Sequence, residues 1–72
     1  MKKVAITIVD TKTGISQFGV IEEPVKEGYE VDNALRHFGV KRECVNLNHY
    51  NEEISVGYIE DTTKVVTIVV IN

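Results

Sequence analysis

Apolar and polar residues along this chain alternate with two different periods, which separate strands from one helix. A period of two, typical of a strand, marks the segments 3–9, 15–22, 44–50, 54–60 and 65–72. A stripe at i, i+3, i+4 and i+7, typical of an amphipathic helix, is formed by Val31, Ala34, Leu35 and Phe38. The predicted order of elements is therefore ββαβββ.

The helix is predicted to span residues 30–38, because both of its ends carry recognisable signals. Acidic Glu30 and Asp32 lie in the first turn and basic residues in the last, as the helix dipole favours. Gly39 follows directly and fits the left-handed position that commonly ends a helix. About nine residues at 1.5 Å each make a short helix.

The last predicted strand is almost entirely β-branched and is apolar on both of its alternating faces. A strand with one face in water should alternate apolar and polar residues, and this one does not. It is therefore predicted to be covered on both sides, at the centre of the sheet or against a second copy of the chain. The residues predicted to form that oligomer interface are Val65, Val66, Ile68 and Val70.

These elements predict one α+β domain over residues 1–72, with a five-stranded, mostly antiparallel sheet and a short helix on one face. The first and last strands, the most apolar, are placed centrally and, with alternating directions, parallel to each other. The third strand is placed at an edge, because its second face is polar. Five strands span about 20 Å, whereas one helix is about 10 Å wide, so a large apolar area stays bare. We therefore predict a homodimer in which a second copy covers this apolar area.

Composition restricts the environment and the partners. Cys44 is the single cysteine, so no disulfide can form within the chain, which fits a reducing compartment. No stretch approaches the ~18 apolar residues of a membrane helix, and no signal peptide is evident. The expected location is the cytoplasm, with no membrane partner. A net charge of −3 argues against a general nucleic-acid binder.

Residues with catalytic or metal-binding chemistry are few. Cys44, His37 and His49 are the only soft metal ligands, and they lack the tight pairs of a zinc site. No histidine is spaced to activate the cysteine. The adjacent acidic pairs fall at predicted strand ends, as solvated turn charges do. We therefore expect no enzyme, no metal and no cofactor.

One basic cluster could hold an anion. Arg36, His37, Lys41 and Arg42 fall within seven positions at the end of the helix, and Tyr29 could join them. Arginine and lysine beside an aromatic ring can bind phosphate or carboxylate. The simpler alternative is that these residues complement the helix dipole and line a solvated loop.

The third strand is rich in amides and aromatic residues that favour contact surfaces. The residues predicted to bind a partner are Asn46, Asn48, His49, Tyr50 and Asn51. An edge strand can also extend a partner's sheet through its free backbone groups. The alternative is an ordinary polar outer face.

The function that best fits this chain is a small non-enzymatic binding module. It would be a homo-oligomeric regulator or inhibitor that occupies the surface of another protein. Size alone adds that such chains are common among accessory proteins of phages and mobile elements, inhibitors of host defence included. Two alternatives remain open: a receptor for an anionic metabolite or nucleotide at the basic cluster or in a dimer groove, and a subunit of a larger assembly.

Overall fold

The computed structural model describes residues 3–22 and 28–71. The strands are β1 (Lys3–Asp10), β2 (Ser16–Ile21), β3 (Val45–His49), β4 (Ile54–Ile59) and β5 (Lys64–Ile71), and the helix α1 (Glu30–His37) lies between β2 and β3. A 3₁₀ turn, Arg42–Cys44, precedes β3, so that strand begins one residue later than predicted. The sequence also predicts that Glu23 and Pro24 end the second strand, because proline cannot donate to a strand ladder. Both residues lie outside the described part of the chain. No described helix is long and apolar enough to cross a membrane.

The five strands form one sheet in the order β2-β1-β5-β4-β3. This confirms the α+β fold class, the central positions of β1 and β5, and the edge position of β3. The relative direction of β1 and β5 was predicted wrongly, because the two strands pair antiparallel. The prediction assumed that each strand runs opposite to the strand before it in the chain. This does not hold for β2 and β3, which are connected through α1 and run in the same direction at opposite edges of the sheet.

The hydrophobic core lies between the helix and one face of the sheet. Its buried side chains are Val4, Ile6, Ile8, Ala34, Leu35, Val45, Val66 and Ile68. Leu35, which is fully buried, brings the helical stripe onto the even-numbered residues of β1 and β5. The helix packs on β1, β2 and β5, and Phe38 and Val40 extend the cover beyond its end. Helix and following segment together therefore cover the centre of this face, more than the helix width alone predicts.

The end of the helix is set by Gly39, as its sequence position predicts. Its φ of 70° is the left-handed conformation, which costs glycine little. The Gly39 N–H donates to the Arg36 carbonyl at 2.9 Å, and the Val40 N–H donates to the Leu35 carbonyl at 3.0 Å. This pair of bonds is the Schellman motif. It turns the chain back so that Val40 packs on the core.

Two glycines within strands mark close approaches. At Gly19 of β2 a Cβ atom would lie 2.8 Å from the His37 ring, so glycine allows that ring and Phe38 to lie directly on the strand. The pairing of β1 with β2 is continuous through Gly19, so it marks a close contact and not a bulge. At Gly57 of β4 a Cβ atom would lie 2.8 Å from the backbone Cα of Leu47. Backbone cannot rotate away as a side chain can.

We expect Gly57→Ala to destabilise the fold by about 1–3 kcal/mol, because the methyl group would push β3 away from β4. Gly19→Ala is the matched control: it adds the same methyl group against a ring that can rotate, and should stay within about 1 kcal/mol of wild type. Urea unfolding measures both. Equal losses in the two variants would contradict this difference between backbone and side-chain contacts.

Candidate functional site

The basic cluster is only partly assembled in the structure. Arg36, Lys41 and Arg42 line one concavity of about 710 Å³ at the end of the helix. Asp32 and Glu43 line the same concavity, so it is a mixed-charge surface. Such a surface attracts an anion less than a purely basic one would.

The other two members of the cluster have different surroundings. The His37 ring packs against Phe38, with the ring centroids 5.1 Å apart and the rings edge to face. Tyr29 directly precedes the helix, and its side chain is half exposed. Neither residue lines the concavity that Arg36 and Arg42 share. The structure therefore does not bring the five predicted ligand-binding residues together.

The predicted partner-binding residues of β3 divide between the two faces of the sheet. Asn46, Asn48 and Tyr50 lie on the face opposite the helix, and Tyr50 is 80% exposed. His49 lies on the helix face, where its Nδ1 is 2.8 Å from the Ser55 hydroxyl. The Asn51 side chain accepts two backbone N–H bonds and so shapes the turn into β4.

The outer edge of β3 is the second feature of this strand. No described strand pairs with β3 on the side away from β4. The Tyr50 N–H donates to Ile54 and the Cys44 carbonyl accepts from Glu60, so the even-numbered residues bond inward. In an antiparallel pair the residues between them point their backbone groups outward. These are Val45, Leu47 and His49, and the Arg42 side chain already donates to the Val45 carbonyl at 3.0 Å.

The predicted oligomer interface requires a correction. Val66 and Ile68 are 0% and 1% exposed beneath the helix, so they offer no surface to a second copy. Val70 lies on the same face and is half-buried. Val65 lies on the opposite face. Strand β5 is apolar on both faces but packs only one of them into the core, and the sequence alone did not show which one.

The face of the sheet opposite the helix, here called the open face, is covered by no described residue. Its central row is Phe18, Thr7, Thr67, Val56 and Asn48, and the flanking rows are Ser16, Val9, Val65, Tyr58 and Asn46 on one side and Val20, Ala5, Val69, Ile54 and Tyr50 on the other. Six of the eight exposed large apolar or aromatic residues lie on it: Phe18, Val20, Tyr50, Val56, Tyr58 and Ile71. Soluble monomers rarely expose so much contiguous apolar surface.

A groove on the open face lies over β3 and β4. It has a volume of about 500 Å³ and is lined by Asn48, Tyr50, Val56, Tyr58 and Val65, together with His49 and Gly57. The Asn46 side-chain amide donates to the Tyr58 hydroxyl at 3.2 Å, which orients that ring. We call it the tyrosine groove. Tyr58, Val56 and Phe18 were missing from the predicted site, although each occupies an alternate position that could have indicated this face.

Metal binding has little support in the described part of the chain. No group of three or more histidine, cysteine, aspartate or glutamate side chains there could hold an ion. Cys44 is exposed.

Asp10 has a structural role at the sheet end. Its carboxylate accepts a bond from the Thr63 hydroxyl at 2.6 Å and one from the Lys12 backbone N–H at 3.0 Å. The Thr63 bond, and then the Lys12 bond, lower the pKa of Asp10 below its ordinary value of 3.8. These bonds join the β1–β2 turn to the β4–β5 turn, which are distant in sequence. The carboxylate is therefore used to hold the turns together.

Comparisons with known proteins give no functional guide. A scan against models of protein families finds no match, and neither a search of curated proteins nor one of solved structures finds a similar chain.

We expect the Asp10 contribution to stability to depend on pH. Because folding lowers the pKa of this carboxyl group, its contribution is complete above pH 3.8 and is lost as the pH falls through the folded-state value. Urea midpoints of wild type and Asp10→Asn should therefore differ at neutral pH and converge in acid. Thr63→Val, which removes the main donor, should shrink the same pH dependence. A wild-type to Asp10→Asn difference that stays constant into acid would contradict this role.

Proposed function

We propose that this chain is a non-enzymatic binding module, a regulator or inhibitor that acts by occupying the surface of another protein. The observation that carries the proposal is the outer edge of β3. Its five residues include no charged side chain and no proline, the two features that commonly protect an edge strand from pairing. An edge left in this state is suited to accept a further strand.

The backbone of this edge supports pairing over a short length. Leu47 and His49 direct their N–H and C=O groups away from β4, by the alternation established above. Arg42 occupies the Val45 carbonyl and so closes one end of the edge. A partner strand would therefore engage the half that contains Leu47 and His49, with backbone bonds providing affinity.

Side chains next to this edge would supply selectivity. Asn48 and Tyr50 are exposed on the face of β3 opposite the helix, whereas the His49 side chain is bonded to the Ser55 hydroxyl. Tyrosine offers rigid contact area, and asparagine offers adaptable hydrogen bonds. Of the five residues that the sequence predicted to bind a partner, Asn48 and Tyr50 are the two that support this proposal. The Asn46 side chain is bonded to Tyr58, His49 to Ser55, and Asn51 within its turn.

The receptor for an anionic metabolite or nucleotide has weaker support. Two acidic side chains share the concavity with Arg36, Lys41 and Arg42, and two of the predicted ligand residues do not line it.

The regulator proposal includes an origin among phages and mobile elements, because a length of 72 residues agrees with their small accessory proteins, inhibitors of host defence among them. That part of the proposal rests on size alone.

We expect His49→Pro to weaken partner binding strongly while His49→Ala preserves it. Both variants lose the bond between His49 and Ser55, but only proline removes the outward N–H and blocks an approaching strand. Wild type and both variants would be immobilised, and proteins retained from a lysate of the source cell quantified. Retention of the partner should fall at least about tenfold in His49→Pro, as one lost bond and a steric conflict require.

Circular dichroism should show that both variants stay folded, because the proline sits at an edge position that tolerates it. The captured partner's activity should change when wild type or His49→Ala is added, and not when His49→Pro is added. If every retained protein binds the two variants equally, the β3 edge is not the partner site.

A further inference from the structure

We propose that the open face joins two copies of this chain, with Phe18 of each copy seated in the tyrosine groove of the other. This inference goes beyond the proposed function. It uses the face of the sheet, whereas partner binding uses the outer backbone of β3, although Asn48 and Tyr50 adjoin both surfaces. Substitutions at Phe18 and at the His49 backbone test the two separately.

The charge distribution favours a second copy as the occupant. No aspartate, glutamate, lysine or arginine lies in the three rows of the open face, and the one lysine beyond them, Lys3, lies opposite Ile71 at the border of this face. The net charge of −3 is therefore carried by the helix side, the turns and the rim of the molecule. Two identical acidic chains can bring these uncharged rows together without placing like charges opposite each other. A basic or acidic partner would find no complementary charge within the three rows.

The size of the face meets the lower limit for a specific dimer. Five strands at about 4.8 Å and strand lengths of about 20 Å give roughly 500 Å² per copy. Two copies would bury roughly 1,000 Å², the area at which a specific interface becomes credible. Two sheets packed face to face lie about 10 Å apart, a space that aromatic and β-branched side chains fill.

The strand order makes this face self-complementary. The central strand is β5, and β2 and β3 lie two strands away from it on opposite sides. A two-fold axis along β5, in the plane between two facing sheets, places β2 of each copy over β3 of the other. Phe18 and Asn48 share the central row, so the partner's Phe18 arrives beside the tyrosine groove. Both contacts form at once, as an isologous dimer requires.

Shape and chemistry match at this contact. Phe18 is 68% exposed, a large apolar side chain with little cover in a single copy. The tyrosine groove offers Val56 and Val65 together with two tyrosine rings, one of them oriented by Asn46. Aromatic rings in contact add to the free energy gained by apolar burial. Phe18 and the groove are therefore the expected hot spots.

The test is a charge exchange between the two sides of the contact. Wild type should show about twice the 8.1 kDa chain mass by light scattering at high concentration. Phe18→Asp and Val56→Lys should each raise the dissociation constant at least about a hundredfold, because each change is repeated twice per dimer. An equimolar mixture should recover the dimer. In the mixed dimer, Phe18 of the Val56→Lys chain meets the unchanged groove of the Phe18→Asp chain. At the second contact, the introduced carboxylate lies opposite the introduced ammonium group.

Control variants place the same charges on the helix side of the sheet. Ile15→Asp changes an exposed apolar residue beside β2, and Gln17→Lys changes an exposed residue within it. Both should dimerise as wild type does. Circular dichroism verifies that Phe18→Asp and Val56→Lys stay folded, as the exposure of both side chains predicts. A mixture of the two controls serves as the reference for the exchange.

Three results would overturn the proposal. The first is a wild-type chain that stays monomeric at high concentration, which would leave the open face to another protein. The second is a dimer that survives both charge changes, or one that the mixture does not recover. The third is a larger ring or filament, which would indicate an assembly subunit. None of these results bears on the His49→Pro comparison, which therefore judges partner binding separately.

Discussion

Five strands carry apolar side chains on both faces of their sheet, and among the described residues one α-helix of eight residues covers them. The helix and the segment after it enclose one face, where Ile6, Leu35 and Ile68 are fully or almost fully buried. A domain this small buries a limited share of its surface, and no described residue covers the other face. The distribution of exposed apolar residues follows directly from that imbalance.

The connection through the helix determines where the interaction surfaces lie. Because α1 carries the chain from β2 to β3 across the sheet, these two strands become the opposite edges. Phe18 on one edge and the tyrosine groove beside the other are consequently placed symmetrically about β5. The outer backbone of β3 remains unpaired among the described strands for the same reason. Topology, more than any single residue, thus produces both proposed binding surfaces.

The candidate site shows how far residue type can be used without coordinates. Asn48 and Tyr50 were predicted from composition, since amides and aromatic rings on an edge strand are typical of contact surfaces. The basic cluster was inferred from sequence proximity, but proximity does not specify direction. The close approach at Gly19 places His37 on β2, while Arg36 and Arg42 share a concavity with acidic neighbours. Phe18 was missed because its alternate position separates the two faces of β2 but does not show which face stays uncovered.

Sequence by itself determined the order ββαβββ, the extent of the helix and the central place of β1 and β5, because periodicity, capping and strand apolarity are local properties. Tertiary structure decided the antiparallel pairing of β1 with β5 and which face of β5 enters the core. It also decided which side chains meet across the sheet. These depend on the path of the chain through the helix, and no local pattern encodes that path. Val66 and Ile68 illustrate the point: their apolarity was evident, but only packing beneath Leu35 distinguishes them from Val65.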